Sequence, residues 1–286
     1  MELLDVTGQK EEREEGRFCF KKYQGTGNDF IMIDDRTLSL SFDRSRVVRL
    51  CHRHYGIGGD GIVILQPSSR ADYQIRVFVS DGTEVPMCGN GLRCVIAFLY
   101  DLGIKQSEFM IETGAGLYRG WKEGRDLIKV SAPAPEMVEE GGVLLVAGKK
   151  REFTRVNTGV DHVVCFVDHM TLANFAWEAR QWRFHPYFSP GGVYVDMVVC
   201  TSRKKIEMRT YEKWIETETL SCGTGALAAC TAAWSLGYID REVEVFFPRA
   251  QAELVVECVV EKGKIQTLMM TGRVQQTFSG IWDDRS

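Results

Sequence analysis

At 286 residues the chain has room for two domains of about 130 residues, each able to bury its own core. Its 35 Lys and Arg against 39 Asp and Glu give a formal net charge of −4 with the basic residues dispersed, which argues against the basic stripe that nucleic acid needs. No run reaches the roughly 18 apolar residues of a membrane helix. Residues 1–16 are acidic where a signal peptide would be basic and then apolar; they read as a mobile, solvated extension, and the protein is expected in the cytoplasm. Nine cysteines, an odd number without paired Cys-x-x-Cys spacing, argue for free thiols in a reducing compartment.

Phe18 to Tyr23 alternates like a strand, Gly25-Thr26-Gly27-Asn28 reads as a turn, and Phe30 to Ile33 resumes an apolar strand. Asp43 to Tyr55 has helical spacing at Val47, Leu50 and Cys51, with Asp43 as N-cap and Gly56 as stop. Gly56-Ile57-Gly58-Gly59-Asp60-Gly61 matches a dinucleotide fingerprint in form, but it follows a helix and precedes the strand Ile62 to Leu65, the reverse of the required context. Cys51, His52 and His54 have no second ligand cluster, so a basic helix end is preferred there to a metal site. Tyr73 to Val79 is a strand and 80–83 a turn before the loop Met87-Cys88-Gly89-Asn90-Gly91, which opens an apolar helix expected to stop at Leu102-Gly103.

Short strands follow from Phe109 to Val130, and Ala132-Pro133-Ala134-Pro135 with Glu139 to Gly142 is the candidate linker. Domains are therefore expected at 17–134 and 135–286. The second half reads as strands to Asp168, a helix near Leu172 to Trp182, strands at Val193 to Cys200 and Lys205 to Tyr211, and a second loop, Ser221-Cys222-Gly223-Thr224-Gly225, heading a helix to Leu236-Gly237. Strands at Val243 to Phe247, Leu254 to Val260 and Ile265 to Met270 close it.

The two cysteine loops are one motif written twice, about 134 residues apart, and Thr26-Gly27-Asn28-Asp29 is echoed by Thr158-Gly159-Val160-Asp161 at nearly the same offset. The expected architecture is a duplicated fold of many strands around one prominent helix. A cysteine at a helix N-terminus feels the positive end of the dipole, so its pKa is expected to fall; a drop to near 7 needs only about 2 kcal/mol of preferential thiolate stabilisation. The glycines at 89, 91, 223 and 225 let the backbone approach a ligand closely. Two facing helix N-termini would grip one carboxylate, with one cysteine removing a proton from the adjacent carbon and the other returning one from the opposite side. Inert helix caps and single-cysteine nucleophilic catalysis are the competing readings.

Gly25-Thr26-Gly27-Asn28-Asp29-Phe30, Gly56 to Gly61, Asp81 to Cys94, and Tyr211-Glu212 before Cys222-Gly223-Thr224-Gly225-Ala226 resemble the diaminopimelate epimerases, pyridoxal-phosphate-independent enzymes that interconvert LL- and meso-diaminopimelate. The resemblance implies a mixed α/β fold of two pseudosymmetric domains, each a strongly curved sheet around a central helix, with the site in the cleft between them, no cofactor, and a homodimer. It implies Cys88 and Cys222 as the two bases, loop donors to the substrate carboxylate at Gly89, Asn90, Gly223 and Thr224, and Asn28 lining the site. His162 and Glu212 match positions that tune the cysteines, and Glu212 also holds the α-amino group. At the far end of the substrate the pattern departs: Val79, Val160 and Gly191 stand where asparagines are expected, Lys213 where an arginine is, and an extra residue, placed at Trp214, lengthens the loop. The alternative substrate is therefore another amino acid, such as glutamate or histidine.

Overall fold

The computed structural model describes residues 16–170 and 174–284; the expected extension at 1–16, Gly16 apart, lies outside the described residues. The chain divides into two compact units, one built from the residues up to Ile128 together with those from Val274 on, the other from Lys129–Arg273.

In the first unit β1 (Arg17–Gly25) and β2 (Asn28–Asp34) form an antiparallel hairpin closed at Gly25 and Asn28. Its two turn residues, Thr26 and Gly27, have φ of 53° and 86°. Two successive positive φ values give the turn whose twist matches the strands, and for the β-branched Thr26 that conformation is strained. Helix α1 (Arg44–Cys51) then returns the chain to β3 (Gly61–Gln66), parallel to β2. Asp43 caps α1, accepting from the N–H of Arg46 at 2.8 Å. The helix ends at Cys51, short of the expected Tyr55, because the His52 ring nitrogen takes the N–H groups of His54 and Tyr55. Antiparallel β4 (Tyr73–Val79) and the short β5 (Glu84–Val85) lead into α2 (Gly89–Asp101), followed by β6 (Phe109–Thr113) parallel to β4, β7 (Gly116–Lys122) and β8 (Leu127–Pro133).

The second unit repeats this order. A hairpin of β9 (Glu136–Val146) and β10 (Lys149–Asn157) precedes β11 (Asp161–Phe166), antiparallel to β10; α3 (Phe175–Arg183) crosses to β12 (Tyr194–Ser202), parallel to β11. Antiparallel β13 (Lys205–Glu212) and short β14 (Thr217–Glu218) lead into α4 (Gly223–Ser235), then β15 (Glu242–Phe247), parallel to β13, and β16 (Ala252–Glu261). The last strand, β17 (Lys264–Asp283), pairs first with β16 and, from Val274 onward, with β1.

Helices α2 and α4 are each 13 residues and buried almost all round: Leu92, Cys94, Val95, Ile96 and Leu99 are at most 1% exposed, and Ala226, Ala228, Ala229, Cys230, Ala232 and Ala233 are 0% exposed. A helix apolar on every side must be enclosed, and α4 touches β10, β11, β12 and β16 while α2 touches β1, β2, β3 and β7. Helices α1 and α3 cover the other face of each sheet, over Ile31, Ile33, Ile62 and Ile64 in one case and Val163, Cys165, Val195 and Met197 in the other.

Two expectations are corrected. Residues 132–135 and 139–142 are not a linker: β8 runs through Pro133, and β9 carries 136–146 in register with β10. Its Glu/Gly run disguised a solvent-facing strand with Met137, Val138, Val143 and Leu145 exposed. The division between units falls at Ile128 rather than 134, and the final segment returns to the first unit because its backbone pairs with β1.

Candidate active site

Strand alternation decides which side chains meet α4. Val163, Val195, Met197 and Tyr211 lie in the core under α3. Side chains one residue away point to the opposite face, so His162, Tyr194, Asp196, Thr210 and Glu212 are on the α4 side. His162 and Asp196 are both 0% exposed, and burial of such groups is tolerated only when they are paired.

They are paired with each other and with the cysteine loop. His162 Nδ1 lies 2.7 Å from Asp196 Oδ2, and Thr210 donates its hydroxyl to Asp196 Oδ1 at 2.7 Å. His162 Nε2 is 3.0 Å from Thr224 Oγ1, which is 3.4 Å from Cys222 Sγ. Cys222 is the N-cap of α4, extended at φ −131°, and its sulfur accepts from the N–H of Gly225 at 3.4 Å. Thr158, in the turn between β10 and β11, donates to the Thr224 carbonyl at 3.1 Å. Glu212 accepts from Thr219 at 2.8 Å.

The expected fall in thiol pKa is overturned for Cys222. Burial pushes it well above the ordinary thiol value, and the neighbouring Glu212 and Asp196 carboxylates push in the same direction. The hydrogen bond from the Gly225 N–H opposes this without prevailing, so the sulfur rests as a thiol. Burial also raises Glu212, against the opposing pull of Thr219, His162 and Cys222.

The first unit treats its cysteine differently. Cys88 is the N-cap of α2, extended at φ −141°, and only half-buried, with its sulfur 3.8 Å from Asn28 Oδ1. Asn90 Nδ2 donates to the same Asn28 oxygen at 3.2 Å, and Asn28 donates to Asp60 at 2.8 Å. Behind the loop the fully buried Arg93 donates to Asn90 Oδ1 at 2.8 Å and to the strained Thr26 at 3.0 Å. Burial lowers the Arg93 pKa to about 10, which still leaves a cation at neutral pH. Asp60, from the Gly56–Gly61 loop, joins Asn28 to an ionic cluster of Asp29, Lys22 and Arg53. That loop follows α1 and precedes β3, and its acidic residue fixes the asparagine beside Cys88.

In the first unit the structure thus brings together Asn28, Cys88, Gly89 and Asn90; in the second it gathers His162, Glu212, Cys222, Gly223 and Thr224. By helix geometry the first-turn N–H groups at 89–90 and 223–224 have no carbonyl four residues back within their helices. Lys213 lies beside two of the unusual positions: its Nζ is 4.3 Å from the Trp214 ring centroid, and a Cβ on Gly191 would sit 3.9 Å from it. Trp214 is 70% exposed, takes φ 71°, and packs edge-on against Tyr194, whose ring lies on His162 at 5.0 Å. Val79 and Val160 are at the end of β4 and in the β10–β11 turn. Cys51 is core, and all nine cysteines are free. Thr26, Asp60, Arg93, Tyr194, Asp196 and Thr210 were given no role from sequence. The available signal was a lone charge in an apolar run, Asp196 within Tyr194–Val199 and Arg93 within Gly91–Phe98, since such a charge must find a buried partner.

The fold is that of epimerase, racemase and isomerase structures. A hydroxyproline epimerase from Agrobacterium vitis superposes with a TM-score of 0.72 at 14% identity, covering 96% of this chain and 94% of its own. A PhzF-family phenazine biosynthesis protein from Bacillus anthracis gives 0.69 at 16% identity, covering 93% and 98%. The chain belongs to the diaminopimelate epimerase family, whose model matches residues 20–138 and 154–277, and so to the amino-acid epimerases, a class of isomerases. The diaminopimelate epimerase of Aquifex aeolicus is 34% identical over 273 residues, 91% of this chain and 96% of that protein. That of Methanothrix thermoacetophila is 39% identical over 241 residues, 79% and 84% respectively. Among the described residues no helix is long and apolar enough to cross a membrane.

Proposed function

We propose that the chain interconverts LL- and meso-diaminopimelate by a two-base mechanism in which Cys88 and Cys222 serve opposite faces of one α-carbon, without a cofactor. The carrying observation is the duplicated thiol, each at the head of a 13-residue buried helix, within the residues the family model matches. N–H groups at 89–90 and 223–224 receive the α-carboxylate, Asn28 lines the first loop, Glu212 takes the α-amino group, and His162 and Glu212 tune Cys222. Since Cys222 rests as a thiol, it is the acid in the first half-cycle, and Cys88 is the base that takes the α-proton. After inversion the proton count on the two sulfurs is exchanged, so the pair titrates as a unit.

Incubation with LL-diaminopimelate in deuterated water tests this. The α-proton signal should disappear with one deuteron entering per inversion and the meso isomer appearing. Binding without exchange would make the chain an amino-acid-binding protein, and a trapped covalent adduct would make Cys88 or Cys222 a nucleophile; either overturns the reading. The resemblance further supports a homodimer, which light scattering of the purified chain tests, and a cytoplasmic location, which cell fractionation tests.

A second substrate reading is favoured by one cluster. Lys213 lies on the face of exposed Trp214, beside Gly191, where an added Cβ would come to 3.9 Å from its Nζ. An ammonium over an indole suits a distal carboxylate without reading a second ammonium group, which is the pattern of glutamate. A kcat/KM preference for diaminopimelate over glutamate beyond about 10⁵-fold would exclude a broadened pocket.

A further inference from the structure

Outside the residues assigned above, the second unit holds a fully buried carboxylate in contact with the cysteine loop's own partners. Asp196 is 0% exposed, receives the Thr210 hydroxyl on Oδ1 and faces His162 Nδ1 with Oδ2. It also lies directly under the start of α4, since a Cβ on Gly225 would come within 2.5 Å of Asp196 Oδ1. We propose that Asp196 is a positioning residue for Cys222, setting the direction of a buried hydrogen-bond chain, Cys222 to Thr224 to His162 to Asp196, so that the sulfur holds its proton.

The direction follows from donor counting. An ionised carboxylate only accepts, so both Thr210 and His162 Nδ1 must donate to Asp196. A neutral imidazole with its proton on Nδ1 has an acceptor at Nε2, and the group at 3.0 Å from Nε2 is the Thr224 hydroxyl. Thr224 therefore commits its single proton to His162 and turns a lone pair toward Cys222 Sγ, 3.4 Å away. A hydroxyl so committed cannot donate to a thiolate. The sulfur's remaining donor is the Gly225 N–H, at a distance of 3.4 Å. Facing it are Glu212 from β13 and Asp196 from β12, both acidic, with His162 from β11 behind Thr224, and burial raises its pKa in the same sense. The inference rests on the two-base reading for its catalytic meaning, but the hydrogen-bond order stands or falls without any turnover.

The primary test uses the unaltered full chain labelled with ¹⁵N-histidine, with the His162 resonances assigned by their loss in His162→Gln. At pH 7 to 8 the expected pattern is a protonated Nδ1 and an unprotonated Nε2; a proton on Nε2 overturns the proposal. In Asp196→Asn, with Thr210 donating to the amide oxygen, the amide N–H faces Nδ1 and the tautomer flips, so Thr224 is released to donate to sulfur. Thiolate absorbance near 240 nm, assigned by its loss in Cys222→Ser, should then move to lower pH by about one unit or more. In Thr224→Val the same aspartate change should move it by less than half as much. Equal movement in both backgrounds overturns the relay, because Asp196 would then act through space alone. With activity as the readout, kcat of Asp196→Asn should lose its plateau at lower pH while KM stays within about twofold, a split that a merely structural role does not produce. Absence of α-proton exchange in the parent chain would refute the proposed function and leave the tautomer result unaffected.

Discussion

The two third positions of the loops, Gly91 and Gly225, make a paired experiment because the same substitution should have opposite outcomes. Alanine is better than glycine in a helix interior by about 1 kcal/mol, so propensity alone predicts that both changes stabilise. At Gly91 nothing opposes that gain: an added Cβ would meet Val63 at 3.4 Å and the Cys88 Cβ at 3.5 Å, ordinary packing distances. At Gly225 it would meet Asp196 Oδ1 at 2.5 Å and Thr210 Oγ1 at 3.1 Å. The carboxylate must retreat, straining its 2.7 Å bonds to Thr210 and His162. Each hydrogen bond to a charged group is worth about 1.5 to 3 kcal/mol, so losing both outweighs the helix term and leaves Gly225→Ala about 2 to 5 kcal/mol less stable. Gly91→Ala should stay within about 1 kcal/mol of the parent. Urea denaturation with the slope held common gives both numbers. If Gly225→Ala is as stable as Gly91→Ala, the close packing of Asp196 beneath α4 is refuted.

Cys88→Ala and Cys222→Ala should each abolish inversion of the α-carbon and leave the melting temperature within a few degrees; inversion near the parent rate in either would rule out the two-base reading. Asp29 is pushed up by burial but held well below the usual carboxylate range by its bonds to Arg53 and Lys22. Its folded pKa is below the unfolded value of about 3.9, so its contribution to stability is complete above that pH and is lost as pH falls toward the folded value. The stability gap between parent and Asp29→Asn should therefore close in acid, and a gap constant from neutral pH to pH 2 would contradict this. Asp43→Ala removes the α1 cap and should cost about 1 kcal/mol by the same denaturation assay. Lys213→Met should lower kcat/KM at least tenfold more for glutamate and diaminopimelate than for lysine, which has no distal carboxylate.

The duplication was legible because each cysteine loop must break the chain sharply and then bury a helix on all sides, and both demands leave marks at fixed spacing. Strands such as Tyr73–Val79 were readable for the same reason, with apolar runs bounded by turn residues. The β9 strand was not: one of its faces lies in solvent, so Glu and Gly displaced the apolar alternation, and its pairing with β10 is supplied by backbone groups. The continuation of β17 past Met270 was hidden likewise, in a stretch whose outer residues Gln275, Gln276 and Ser279 are polar. At the site, the cysteines and Asn28 were named from motif, whereas Asp196 and Thr210 come from different strands and meet only through sheet register. The depressed thiol pKa was expected from the helix dipole alone; two carboxylates and a dry environment, invisible in one dimension, reverse it for Cys222.

The last strand gives the two units unequal standing during synthesis. Residues 129–273 form one uninterrupted stretch, so the unit bearing Cys222 has all of its chain as soon as residue 273 has left the ribosome. The unit bearing Cys88 begins first and finishes last, because β1 waits for partners that run from Val274 to Asp283. Nascent chains should therefore pass through a stage in which the later-made copy of the duplicated motif is complete and the earlier one is an open sheet with an unpaired edge. A stop codon near residue 273 would leave that stage permanent, with one folded cysteine unit trailing an aggregation-prone N-terminal half.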